Sequence, residues 1–197
     1  IVGQVAAKFS LPDLTYQSMV PMPDPPYQGD GGWTLPHVEG GWVHLYADKG
    51  FDHYVARFPA NDATWADGDS WEYFTGSSSP APAWSTDSAD MRTMVFNSGG
   101  IGIMNVVKTP TGFAIVAQFQ NESIAWKGST PTGPWTLIGP VKNFAGTPDA
   151  CAPTCPTYLG HAATDVPGVD PLIIWSRSQD VNGSTAGSYI GVDDPDL

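Results

Sequence analysis

Glu122 stands in Gln120-Asn121-Glu122-Ser123, a carboxyl between two side-chain amides and a hydroxyl, in a stretch short enough to be a loop. That residue set suits general acid–base chemistry on a hydroxylated ligand: the carboxyl moves a proton while the amides hold hydroxyl groups. The plainer alternative is a solvated loop glutamate beside a glycan on Asn121, which would exclude an active site there. A second carboxyl would have to come from Asp48, Asp52 or Asp30, each of which also fits the ordinary use of Asp in turns. His161, in Tyr158-Leu159-Gly160-His161, reads equally as a ligand or metal contact and as a hydrogen-bonded core histidine. His53 and His44 are further imidazoles near Asp48. Arg177, one of only eight basic residues, would hold a ligand hydroxyl or pair with a nearby Asp. Trp33 offers a ring for stacking, although most of the eight Trp belong in a core. Asp67-Gly68-Asp69 has carboxylates spaced as in calcium loops but no Glu at the EF-hand distance, so it is read as a turn and no metal is assigned.

Several familiar chemistries are excluded by pattern. Ile1-Val2-Gly3 resembles the activated amino terminus of trypsin-like proteases, but that mechanism needs a nucleophilic Ser activated by His and Asp. Gly29-Asp30-Gly31-Gly32 carries no Ser, and no other Ser has the flanking residues. There is also no G-x-S-x-G elbow, no H-E-x-x-H and no phosphate-binding G-x-x-x-x-G-K.

The elements that must position these residues are strands. Of 197 residues, 41% are hydrophobic and only 14% charged, while Gly (22) and Pro (19) punctuate the chain throughout. Such a composition has ample core-forming material and constant turn signals, which argues for short strands and against both helices and disorder. A net charge of −12 disfavours nucleic acid and anionic membrane surfaces, whose phosphates call for Lys and Arg. No apolar run approaches the ~20 residues of a membrane-spanning helix. The only cysteines, Cys151 and Cys155, are too few for a four-ligand zinc site, and a disulfide between them would fit an oxidising compartment. The sequons at Asn121 and Asn182 point the same way, so a secreted, glycosylated protein is expected. No signal peptide is visible at Ile1-Val2-Gly3-Gln4, and the chain is expected to begin after a cleavage or partway into a longer sequence.

Read by period, Trp42–Ala47, Asp52–Phe58 and Trp71–Phe74 are predicted strands, separated by turns at Asp48-Lys49-Gly50 and by a loop after Pro59. A second round runs through Ile101–Val107, Phe113–Phe119, Ser123–Lys127 and Trp135–Ile138. A third follows through Tyr158–Ala162, Pro171–Ser176 and Ser188–Val192. The middle strands are apolar on both faces (Ile115, Val116, Ala117; Leu172, Ile173, Ile174), which predicts sheets covered on both sides. Repeated four-stranded meanders are the pattern of β-propeller blades, with a β-sandwich as the alternative. Three units do not close a ring, so the expectation is an all-β, five-bladed propeller of which this chain holds about three blades. Residues 1–30 would be the end of a preceding blade and a linker, 31–90, 91–145 and 146–197 the blades. The remaining blades would come from a companion chain or from self-association.

Asp52–Pro59 followed by Trp71-Glu72-Tyr73-Phe74-Thr75-Gly76 resembles the signature of a five-bladed propeller family of formerly unknown function that includes endo-D-arabinanases. Ile101–Ile138, with its Gly133-Pro134-Trp135 turn, resembles that family's next blade, and Tyr158-Leu159-Gly160-His161 the start of its last. The resemblance implies a propeller and glycoside hydrolysis of a polysaccharide, a reaction that uses one carboxyl as acid and another as base or nucleophile. The family's first blades, where such enzymes commonly keep catalytic carboxylates, have no counterpart here. On the propeller map the loops joining second to third strands (Asp48 to His53, Gln120 to Ser123, Arg177 to Gly187) and those entering the inner strands share one face. Glu122, Asp48 and His161 are therefore the expected catalytic residues, and Trp33, His53, Asn121 and Arg177 the substrate contacts. No cofactor is expected, though a calcium ion in the channel is compatible with the pattern. A non-catalytic carbohydrate-binding or adhesion propeller is the rival reading.

Overall fold

The computed structural model describes residues 4–23, 32–33, 36–49, 52–61, 64, 67–76, 83–94, 104–119, 122–143, 157–163, 172–181 and 184–193. Side chains are described at these positions except 48–49, 104–105, 118–119, 122–123, 142–143 and all from 157 onward. Apart from two single 3-10 turns, Gly68–Ser70 and Ser88–Asp90, their regular structure is all strand, and every pairing is antiparallel. The fold is all-β. The chain divides into two compact units, Ile1–Met94 and Val95–Leu197.

The first unit opens with a hairpin of β1 (Val5–Ser10) and β2 (Thr15–Pro21). Its main sheet has the order β3-β4-β5-β6-β7, formed by His37–Glu39, Trp42–Lys49, Asp52–Pro59, Glu72–Phe74 and Trp84–Ser85. The β3–β4 turn is Gly40-Gly41, both at positive φ (58° and 81°). Two consecutive left-handed residues give the backbone twist a two-residue hairpin needs, and glycine adopts them without a Cβ clash. One face of this sheet builds a core from Leu45, Ala47, Ala56 and Tyr73 with Trp33, Trp71 and Met91. Phe58 stacks on Trp71 with centroids 5.1 Å apart, and Trp33 tilts against the same ring at 5.7 Å. Tyr46, Val55 and Phe74 alternate with these positions and are also buried, so the middle of the sheet is covered on both faces.

The second unit holds two sheets. In one, β8 (Met104–Thr109), β9 (Gly112–Phe119), β10 (Glu122–Gly128) and β11 (Trp135–Asn143) pair in sequence order. Phe113 to Ala117 are buried without alternation, as the continuous apolar run predicts. Gly112 (φ 149°) is required at the β8–β9 turn, because a Cβ there would lie 2.5 Å from the carbonyl oxygen of Gly128. The other sheet is β12 (Thr157–Ala163), β13 (Leu172–Val181) and β14 (Ser184–Asp193), with β12 lying against β8 and β9.

Three boundaries differ from the sequence reading for one reason. The β4–β5, β9–β10 and β13–β14 hairpins pair almost to their tips, at Lys49↔Asp52, Phe119↔Glu122 and Val181↔Ser184, leaving two connecting residues each. Asp48 and Lys49 therefore end a strand and do not form a turn. Glu122 and Ser123 open a strand, and Arg177 is mid-strand in a region expected to be a loop. Polar composition marks these segments as loop-like, although their backbones are paired.

Candidate functional site

Antiparallel connectivity places the 2–3 hairpin and the entry to the first strand at the same end of each sheet. That end carries at least one acidic residue in all three: Asp48 and Asp52 on β4–β5, Glu122 on β9–β10, Asp180 on β13–β14. Asp48 is directly opposite His53 in the β4–β5 register, so two of the expected site residues are neighbours. His53 is only 1% exposed, and its carbonyl accepts a hydrogen bond from the Met94 amide at 2.7 Å. Asp52 is exposed and, together with burial, holds the neighbouring Tyr54 phenol above its ordinary pKa; burial is the larger cause.

Glu122 is the first residue of β10, paired with Phe119 on one side and Asn143 on the other. In the three-stranded sheet, Arg177 is flanked by Thr157 and Tyr189, while His161 pairs with Ile174. His161 and Arg177 thus belong to adjacent strands at different levels. Trp33 is 6% exposed and bridged to Ala47; its indole Nε1 donates to the Pro23 carbonyl at 2.8 Å. Its ring is a core element and offers no open face for stacking. Asp30, Asn121, Asn182, Cys151 and Cys155 lie outside the described residues, and so do the disulfide and glycosylation expectations that rest on them.

One polar row was invisible in the sequence. His37, His44, Arg57 and Glu72 occupy one level across β3, β4, β5 and β6, each paired with the next. The Arg57 guanidinium is sandwiched between the rings of Trp42 (4.0 Å) and Trp84 (3.9 Å), and its Nη2 and Nε donate to Glu72 Oε2 at 2.6 and 2.8 Å. Cation–π contact on both faces and a carboxylate at the edge lock this side chain. With both ring faces covered, Arg57 ties four strands together and presents no stacking surface to a ligand. His44 beside it is 5% exposed, tilts against Trp84 at 5.9 Å and has no hydrogen-bond partner at Nδ1. Burial first, then the His37 and Arg57 charges, lower its pKa to about 4. His44 is accordingly a neutral imidazole at ordinary pH, unsuited to holding a negative charge. Residues 13 and 15 apart in sequence carry no signal of this row; only strand register makes it.

A groove of about 350 Å³, lined by Thr111, Phe113, Lys127, Ser129, Pro134 and Thr136 among others, lies at the opposite end of the β8–β11 sheet from Glu122. Among the described residues no cluster of three or more His, Cys, Asp or Glu could hold a metal ion, and no helix is long and apolar enough to cross a membrane.

These sheets define an all-β protein built from successive antiparallel meanders. Residues 2–173 match the family described as Domain of unknown function (DUF5005), and the chain belongs to that family. Its fold is similar to that in the "Crystal structure of a putative hydrolase from Bacteroides ovatus ATCC 8483", with 16% sequence identity and a TM-score of 0.55. That similarity covers 78% of this chain and 42% of the other, so the chain spans about two fifths of its structural neighbour. No curated protein matches the chain in sequence.

Proposed function

We propose that the chain belongs to a secreted, carbohydrate-active hydrolase that cleaves a polysaccharide at the hairpin ends of its sheets. The observation that carries this reading is the recurrence of acidic residues at that one end of every meander. Asp48 opposite buried His53 is the most developed instance, and Glu122 stands at the corresponding place on β9–β10. Glycoside hydrolysis is a reaction that a pair of carboxyls can carry. The fold supports the class through its likeness to a chain named as a putative hydrolase, and a propeller arrangement of the meanders is part of the proposal. The resemblance to arabinan-cleaving propellers supplies the substrate class to try first.

Glu122 is put forward as the acid, and Asp48, opposite His53 in the β4–β5 register, as the second carboxylate. His161 and Arg177 are put forward as contacts for sugar hydroxyls, with Asn121 beside Glu122. No cofactor enters the proposal. Secretion rests on the Cys151/Cys155 pair and the two sequons.

The test is release of reducing ends from plant, fungal and mycobacterial polysaccharides, comparing the native protein with E122Q and D48N measured separately. Acid or nucleophile removal lowers glycosidase rates by several orders of magnitude, at least the ~10²–10⁴-fold of a general acid–base group. E122Q with full activity removes Glu122 from the mechanism. Sugar binding with no cleavage of any polysaccharide by the native protein refutes the hydrolase in favour of a carbohydrate-binding module.

A further inference from the structure

The β1–β2 hairpin turns an apolar face outward. Its more exposed face is formed by Val5, Ala7 and Phe9 on β1 and Tyr16, Met19 and Pro21 on β2, paired as Val5↔Pro21, Ala7↔Met19 and Phe9↔Tyr16. The less exposed face carries Ala6, Lys8, Ser10, Ser18 and Val20. At the tip, Leu11 and Leu14 are 82% and 66% exposed. Six of the nine exposed large hydrophobic residues among the described positions fall between residues 5 and 19, so this is a patch and not scatter.

The hairpin is anchored at its base. The Gln4 side chain bonds both backbone groups of Trp33, accepting from its amide at 2.6 Å and donating to its carbonyl at 3.2 Å. The Met22 amide donates to the Gln4 carbonyl at 2.9 Å, and the Met22 side chain packs on the core of the first sheet. Among the described residues β1 and β2 pair only with each other. A two-stranded ribbon with an apolar face is marginal by itself and gains stability by covering that face.

We propose that this hairpin is a dimerisation arm whose occupant is a second copy of the same chain, the two apolar faces packing about a two-fold axis. Charge favours this over other approaches. The chain carries −12, whereas residues 4–23 contain Lys8 and Asp13 as their only charged side chains and are neutral. Two acidic copies meet here with the least repulsion, and like patches are the requirement of an isologous contact. Covering the six exposed hydrophobic side chains removes on the order of 600 Å² per copy, about 1,200 Å² for the pair, the lower edge of stable interfaces. The proposal is independent of the catalytic reading.

The test is the mass of the full chain in solution by light scattering and sedimentation over a dilution series, at low and high salt. The native chain should run at twice its 20.9 kDa monomer mass, with dimer retained or strengthened in high salt as the −12 charges are screened. L11S/L14S alters only exposed tip residues and should shift the midpoint of dissociation upward at least tenfold in concentration. V38S/L137S, exposed apolar residues that are not part of the arm, should leave it unchanged. A native chain that is monomeric throughout, a dimer dispersed by salt, a dimer that L11S/L14S leaves unchanged, or one that V38S/L137S weakens as much overturns the proposal.

Discussion

Acidification should loosen the first sheet through a single imidazole. His44 is buried in the row between His37 and Arg57, and its folded-state pKa is about 4 against an ordinary 6.5. The unfolded chain therefore takes up a proton on His44 between pH 6.5 and 4 while the folded chain does not, and unfolding gains by that uptake. The contribution is fully in place above pH 6.5 and is lost as pH falls through the window toward 4. At pH 5 the loss amounts to about 2 kcal/mol, rising to about 3 kcal/mol below pH 4, since each pKa unit is worth ~1.4 kcal/mol. Burial is the largest cause of the shift, so neutralising Arg57 alone should not abolish the effect. The assay is urea unfolding at pH 7 and pH 5, followed by tryptophan fluorescence, for the native chain and for His44→Gln. Other groups titrate in both proteins, so the informative quantity is the difference between their pH-dependent losses. His44→Gln should lose about 2 kcal/mol less than native between those two pH values, whatever its absolute stability. Equal losses in the two proteins would refute the reasoning and place His44 in water.

Arg57→Met should cost about 1–3 kcal/mol, mostly from the two tryptophan contacts, because the partly exposed Glu72 ion pair contributes little by itself; urea unfolding measures it, and a change below ~0.5 kcal/mol would show that the sandwich does not hold the strands. Gly112→Ala should destabilise the β8–β11 sheet by more than ~1 kcal/mol, as the new Cβ meets the Gly128 carbonyl oxygen and the φ of 149° is strained for a side chain; a neutral result in thermal unfolding contradicts the turn geometry. Gly32→Ala should release the arm at its base, since the added Cβ takes the place of the Gln4 amide and removes two hydrogen bonds to Trp33. Faster amide exchange confined to residues 4–22 is the expected signature, with unchanged exchange across β3–β6.

The all-β architecture was legible because Val, Ile, Trp and Tyr runs alternate with Gly and Pro often enough to leave room only for short strands. The unbroken apolar run Phe113–Ala117 likewise announced a strand buried on both sides. Hairpin tips were harder to read. Asp48-Lys49 and the stretch after Arg177 look like loop by polarity, although Asn182-Gly183 is the dipeptide that favours a two-residue hairpin loop and could have extended β13 to its observed end. Trp33 showed the limit of residue type, since the ring that suits sugar stacking is equally suited to the core that received it.

By itself the chain of residues determined its acidity, its strand content and the apolar runs that need two covered faces, because these follow from local composition and a two-residue period. It also carried every side chain that could act on a ligand. Only tertiary structure decided which of them meet. Asp48 pairs with His53, and His37, His44, Arg57 and Glu72 fall in one row, because antiparallel pairing converts distant positions into neighbours about 5 Å apart. A shift of one residue in register would send each of these groups to the other face of its sheet, and no local pattern records that choice.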